Sequence, residues 1–334
     1  MSAPSNGQSA TVRAHANIAL AKYWGKADIA KNLPAVPSLS LTLEGMRTTT
    51  EVTFASELEK DELFLGGRAE LRKPLARASK LLNEVRGLAG VHTFARVRSH
   101  NDFPTASGLA SSASGFAALA FGAVKALGLA LPPERVSAIA RAASASAARS
   151  LYGGYVELGA SAESAVRVAP PEHWSLKMLV AVTSEAAKDT GSTDGMQHTA
   201  STSPYYPAWV SDAPRLFAEV KAAVLARDFE RLAPAVEQSA LAMHASMLAA
   251  SPALIYFRPA TLAVIEAVRS LRRSGVAACF TIDAGPHVKV LAPPSAAAAV
   301  QRALSGVEGV LRVLESTPGP DAAVLEGGAA DLLS

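Results

Sequence analysis

An α+β protein in two lobes is the fold class this sequence predicts, and three observations carry the prediction. Runs of β-branched and apolar residues, such as 48–54 and 176–182, are mixed with helical stretches but do not alternate with them one for one, as a parallel βαβ sheet would require. After Lys188 the texture turns to long helical stretches, over residues 204–226, 229–250 and 261–274. The 334 residues are 49% apolar and 18% charged, enough apolar material for two ordinary cores. The expected division is an N-terminal lobe over 1–187 and a C-terminal lobe over 188–334, with the polar residues 1–10 as a flexible tail.

Taken in order, 48–54 is β-branched and alternating, and 62–65 follows after a charged turn, so the pair is expected to form a hairpin. Residues 75–86 set apolar side chains at helical spacing with basic ones opposite. Residues 93–98 read as a strand running into a polar turn. A long small-residue helix is expected over 108–127. A second, over 132–150, opens on prolines, which lack an N–H that a helix start could not pair anyway. Further strands are expected at 155–158, 165–168, 176–182 and 310–315, with 278–283 and 288–292 paired around a Gly-Pro turn.

Composition excludes several classes. The net charge of +3 is small, and Lys and Arg are spread along the chain, which argues against a nucleic-acid surface. The single cysteine, Cys279, cannot make an intrachain disulfide and lies in an apolar run, as a buried structural thiol would. There is no Cys/His spacing for zinc, no apolar leader, and no window near the ~20 apolar residues that span a bilayer. A cytoplasmic protein is expected.

Four segments can carry chemistry. Residues 104–115 read Pro-Thr-Ala-Ser-Gly-Leu-Ala-Ser-Ser-Ala-Ser-Gly, small residues where a loop becomes a helix. A helix start offers unpaired N–H groups and partial positive charge, and small side chains let a phosphate reach them. The alternative is a merely flexible helix start. The segment is neither a Walker A motif nor a dinucleotide fingerprint. Residues 17–26 place Lys22 and Lys26 around an aromatic pair, although lysines are commonly solvated. In 144–154, Arg149 precedes two glycines; it can fork a carboxylate or simply close a helix. In 281–286, Asp283 can cap a turn or face a cleft as a proton acceptor. Ser192 and Thr193 stand in a polar stretch ahead of a helix, while His100, His198 and His244 are isolated, as surface or structural histidines are.

Together these segments resemble the diphosphomevalonate decarboxylase family, part of the superfamily of galactokinase, homoserine kinase, mevalonate kinase and phosphomevalonate kinase. Residues 17–26 are similar to N-I-A-x-x-K-Y-W-G-K and 101–115 to N-N-F-P-T-A-A-G-L-A-S-S-A-x-G. Residues 149–154 match R-S-L-Y-G-G, 191–196 resemble S-S-T-x-G-M, and 283–286 match D-A-G-P. Order and spacing fit over about residues 11–320.

The resemblance implies an N-terminal lobe like ribosomal protein S5 domain 2 and a ferredoxin-like C-terminal lobe, with the site between them. It implies ATP-dependent decarboxylation of mevalonate 5-diphosphate, with ATP and Mg²⁺ as cofactors, in a cytoplasmic homodimer. The catalytic set it implies is Asp283 on the 3-hydroxyl, Arg149 on the substrate carboxylate and Lys22 on the moving phosphate. Tyr23, Arg77, Ser144, Ser146, Ser192 and Thr193 are implied to line the substrate. Ser99, Asn101, Pro104, Gly108, Leu109, Ala110, Ser111, Ser112 and Lys188 are implied for the nucleotide, with Ser112 also on the metal.

Four departures stand out: His15 for Pro, Val36-Pro37-Ser38 for N-S-S, Gly191 for the first Ser of S-S-T, and His287 for Asn. Alternatives are a decarboxylase of mevalonate 5-phosphate, a kinase that stops at 3-phosphorylation, and a non-catalytic ligand-binding protein.

Overall fold

The computed structural model describes residues 8–103, 111–186 and 189–326. In the first lobe the strands are β1 (Gln8–Ala21), β2 (Lys26–Asp28), β3 (Leu33–Pro34), β4 (Ser38–Phe54), β5 (Glu62–Leu65), β6 (Arg68–Ala69), β7 (Ala95–Asn101), β8 (Tyr155–Leu158) and β9 (Val166–Ala169). Its helices are α1 (Lys73–Ala89), α2 (Ser111–Ala126) and α3 (Pro133–Ala143). Strands β1 and β4 pair antiparallel along their length, with register shifts at His15/Asn17 and at Ala19/Ala21. Such shifts bend a strand and re-aim its side chains, here just before Asn17 and Lys22.

Strand β1 was not expected. Nearly all of it after Arg13 is buried on both faces, so its side chains do not alternate apolar with polar and give no strand signature. It begins inside the expected tail, since residues 8–10 pair with 52–54. The expected 48–54/62–65 hairpin is also corrected. Strand β7 lies between the two, antiparallel to β4 and parallel to β5. Parallel neighbours need a long crossover, and α1 supplies it. The expected helix over 132–150 breaks at Ser144, whose backbone is extended, and resumes as a 3₁₀ turn over Ala145–Leu151.

The second lobe contains β10 (Lys177–Val182), α4 (Ser192–Thr202), α5 (Tyr206–Ala226), α6 (Phe229–Leu248), α7 (Pro259–Arg273), β11 (Cys279–Ile282), β12 (Val288–Ala292), α8 (Pro294–Ser305) and β13 (Arg312–Ser316). Its antiparallel sheet runs β11-β12-β10-β13. Strand β10 precedes the expected boundary at 187/188 yet is central to this sheet, so hydrogen bonding divides the chain between β9 and β10. Helices α7 and α8 cover one face through Val264, Val268, Val300 and Leu304. The other face joins β1, β4, α5 and α6 in one core that includes Ile18, Leu41, Val220, Leu232 and Leu291. The lobes therefore share apolar packing. Cys279 is in that core as a free thiol, which burial pushes up out of reactive range.

After β13 the chain crosses back as a strap and ends the described residues beside β1, at β14 (Ala323–Val324). Along the strap, Gly319 N–H donates to Thr42, Gly154 N–H to Gly319, and Ala322 N–H to Leu151. A side chain on Gly153 would stand 2.5 Å from the Pro320 backbone, and one on Gly154 2.4 Å from the Ala169 carbonyl at φ +75°. The two glycines after Arg149 are thus required by close crossing of three chain segments.

Candidate active site

Asp283 leaves the end of β11, and two lysines meet it. Lys22, just past the second shift in β1, places Nζ 2.5 Å from Asp283 Oδ1. Lys289, on β12, places Nζ 3.1 Å from Oδ2. Both ammonium groups are buried, whereas the carboxylate keeps about a quarter of its surface open. Burial pushes the Asp283 carboxyl up, but Lys22 and then Lys289 outweigh it and hold the group well below the usual carboxylate range. Burial moves Lys22 the other way, lowering its pKa against the support of Asp283. The carboxylate is therefore fixed, ionised and presented to the cavity.

Arg149 sits in the 3₁₀ turn, 2% exposed. Its Nε donates to Ser40 Oγ at 2.9 Å and to Asn17 Oδ1 at 3.4 Å, and Nη1 donates to Ser38 Oγ at 2.7 Å. These partners are neutral. Burial lowers Arg149 to about 10, so it remains a cation at neutral pH. Asn17 also donates to the Ser146 carbonyl at 3.0 Å and to Ser150 Oγ at 2.8 Å, which ties the turn to β1. A buried guanidinium whose direct partners, among the described residues, are all dipoles is ready for an anion.

Lys22, Arg149 and Asp283 line one cavity of about 650 Å³ between the lobes. Tyr23, Arg77, Ser144, Ser146, Ser192 and Thr193 line it too, so all the expected substrate-facing residues come together. Tyr23 Oη is buried without a hydrogen-bond partner among the described residues, and burial raises the phenol. Gly191 caps α4, which turns the N-terminal residues Ser192 and Thr193 to the cavity. A side chain on Gly195 would stand 3.0–3.3 Å from Tyr256 and Trp24, so the glycine eases the close approach of α4. Lys26, Lys73 and Lys80 also line the cavity, as does Asp194. Asp194 Oδ2 lies 3.6 Å from Lys73 Nζ across the mouth. Lys73, Lys80 and Lys289 were not singled out from the sequence, and only their proximity in the fold identifies them.

A second cavity, of about 1060 Å³, opens between β5, β7 and α2. Ser99, Asn101, Ser111 and Ser112 line it, and Lys73, Arg77, Ser111 and Ser112 border both cavities. Thr48 on β4 donates to Asn101 Oδ1 at 2.5 Å and shares a 2.6 Å hydrogen bond with Ser114, while Thr50 holds Ser99 at 2.8 Å. Gly115 faces the cavity with open space where a side chain would project. Bare backbone and hydroxyls at a helix start suit phosphate. Pro104, Gly108, Leu109, Ala110 and Lys188 lie outside the described residues. Among the described residues, no three His, Cys, Asp or Glu side chains cluster as a metal site. Mg²⁺ carried on phosphate rarely takes an all-protein cage, and a hydroxyl such as Ser112 at this cavity would stand beside it.

The departures have structural explanations. Ser38 of Val36-Pro37-Ser38 still reaches Arg149, while Val36 packs with Trp24 and Met196. His15 is buried and faces the Leu43 carbonyl through Nδ1, and burial lowers its pKa. His287 is buried, pushed down to about 3, and accepts from the Thr183 N–H at 3.2 Å. His198 lies 2.7 Å from the Pro252 carbonyl at the surface. His244 lies against Phe257, with ring centroids 4.5 Å apart and planes tilted by 32°, and burial holds it neutral.

A cationic cavity with a fixed carboxylate, joined to a phosphate-ready helix start, defines a phosphate-handling enzyme for a small polyanion. The family model for the diphosphomevalonate decarboxylase-like N-terminal domain matches residues 14–168, and that for the mevalonate 5-diphosphate decarboxylase C-terminal domain matches 178–313. Diphosphomevalonate decarboxylase of Candida albicans is 38% identical over 302 residues, covering 84% of this chain and 83% of that protein. Mevalonate diphosphate decarboxylase of Staphylococcus aureus superposes with a TM-score of 0.91 at 36% identity, covering 96% of this chain and 98% of that one. A structure described as MDDEF in complex with MVAPP, AMPPCP and magnesium has a TM-score of 0.89 at 38% identity, over 96% and 99% of the two chains. This chain belongs to the diphosphomevalonate decarboxylase family.

Proposed function

We propose that this chain converts mevalonate 5-diphosphate and ATP to isopentenyl diphosphate, ADP, phosphate and CO₂. The observation that carries the reading is the 650 Å³ cavity, where, among the described residues, Lys22, Lys26, Lys73, Arg77, Lys80 and Arg149 oppose Asp194 and Asp283 alone. Six cations against two carboxylates suit a ligand with a carboxylate at one end and a highly charged phosphate at the other.

ATP, with Mg²⁺, supplies the phosphoryl group that turns a tertiary hydroxyl into a leaving group. Asp283 accepts the hydrogen bond of that hydroxyl and aims its oxygen toward the second cavity. A carboxylate held this low is a weak base but a good orienter, which suffices for a loose phosphoryl-transfer transition state. Lys22 stands where negative charge accumulates on the departing phosphate. Arg149 fixes the carboxylate, so that the bond to be broken is aligned when positive charge develops at C3. Ser192, Thr193 and Tyr23 hold the far end with Arg77, Ser144 and Ser146. Ser99, Asn101, Ser111 and Ser112 hold the nucleotide, and Ser112 also stands by the metal.

The test is CO₂ release by the purified chain with Mg-ATP and mevalonate, its 5-phosphate or its 5-diphosphate. Release from the diphosphate alone is expected. Preference for the monophosphate, or a phosphorylated product without CO₂, overturns the reading. The resemblance also supports a homodimer acting in the cytoplasm, which light scattering and cell fractionation test.

A further inference from the structure

We propose that Lys289 is a positioning residue that holds the Asp283 carboxylate in place while Lys22 is engaged with phosphate. The role of Lys22 in this statement rests on the reaction proposed above; the contact of Lys289 with Asp283 does not.

Lys289 stands opposite Thr281 in the β11–β12 pair. Its neighbours Val288 and Val290 belong to the core under α7 and α8, whereas Leu291 belongs to the core shared by the two lobes. Lys289 occupies a strand position that is 0% exposed. A buried ammonium is costly unless paired, and among the described residues Asp283 is the carboxylate it pairs with. Its other polar contact is the His287 carbonyl at 3.4 Å.

The two lysines on this carboxylate have different surroundings. Lys22 borders the cavity, whereas Lys289 is absent from its lining. Lys22 therefore has two anions to serve, and Lys289 has one. The charged and titratable groups around Asp283 are Lys22 past β1, Lys289 and His287 from the β12 side, Arg149 from the 3₁₀ turn and His244 from α6. Burial keeps both histidines neutral. When Lys22 turns to phosphate, Lys289 is the ion-pair partner left on Asp283. Without it the carboxylate has Arg149 as a nearby cation but no ion pair to it among the described residues, and is free to rotate and prone to take a proton.

The experiment uses full-length Lys289→Met and Lys289→Arg proteins, with two readouts. The first is the ¹³C titration of the Asp283 carboxyl without ligands, assigned by its loss in Asp283→Asn. The second is the pH profile of kcat. In Lys289→Met the carboxyl is expected to titrate about 1–3 pH units higher, with the acidic limb of kcat moving up in step and KM for both substrates within about twofold of wild type. Lys289→Arg should restore the wild-type titration. An unmoved carboxyl titration in the folded Met variant overturns the proposal. If Lys289→Met does not fold, Lys289→Gln keeps the length and is judged by the same criteria. Absence of CO₂ release by wild type would sink the reaction assigned above, while the ligand-free titration would still judge Lys289.

Discussion

Two buried arginines of this chain meet opposite surroundings. Arg86, on α1, faces Asp61 through two hydrogen bonds of 2.8 and 3.0 Å, and Asp61 also accepts from the Ala95 N–H. Arg149 is more deeply buried than Arg86 but is held by Ser38, Ser40 and Asn17, none of them charged. The first guanidinium is neutralised within the fold and fastens the α1 crossover to β5 and β7. The second is left without a carboxylate in contact among the described residues, as the substrate-binding role proposed for it requires. Burial alone does not mark a functional cation; burial without a counter-charge does.

The contrast can be broken or sharpened by experiment. Arg86→Met strands the Asp61 carboxylate and should cost about 3–5 kcal/mol of stability by denaturant unfolding, with activity per folded molecule retained. Arg149→Met should do the reverse. Thermal stability holds or rises because a desolvated charge is removed, while binding of the carboxylate-bearing substrate weakens by about 2–5 kcal/mol, read as KM or by calorimetry. A large loss of stability in Arg149→Met would place the two arginines in the same class. Ser38→Ala or Ser40→Ala each removes one hydrogen bond to a charged group, and should cost about 1.5–3 kcal/mol in substrate affinity with the nucleotide unaffected.

The smallest difference is in acid. Burial raises the Asp61 carboxyl, but its bonds to Arg86 and Ala95 lower it further, to below its ordinary value. The stability this contributes is complete above about pH 4 and is lost as pH falls through the depressed value. Among the described residues Arg149 has no carboxylate in ion-pair contact, Asp283 acting on it only at longer range, so Arg149→Met and wild type should lose stability nearly in parallel between about pH 4 and 2. Diverging acid unfolding curves would reveal an acidic partner for Arg149.

How much of this was legible in the residues differs from group to group. Asp283, Lys22 and Arg149 stand in segments whose residue order is distinctive, and the fold gathers them into one cavity. Lys289 was hidden, because Val-Lys-Val-Leu-Ala over 288–292 reads as a strand with its lysine in water. The same alternation concealed Ser40, and Ser38 stood out only as a departure, although both hydroxyls face a buried arginine rather than solvent. Strand β1 escaped notice because both of its faces are covered. The β5–β7 pairing escaped too, since nothing local to 62–65 names a partner that arrives only after a helix. Periodicity reports whether a side chain is wet or dry on average, and it fails where polar groups are buried for use.

The strap that ends at β14 has a consequence for the order of assembly. As the chain is synthesised, β1, β4 and the turn bearing Arg149 emerge long before residues 317–325, which bond to Thr11, Thr42, Leu151 and Gly154. The newborn first lobe thus waits with a sheet edge and the exit of that turn unbonded until the second lobe has been made. Only the last-synthesised stretch of the strap closes both. Completion of the turn that carries Arg149 thereby becomes a checkpoint on having translated the lobe that carries Asp283.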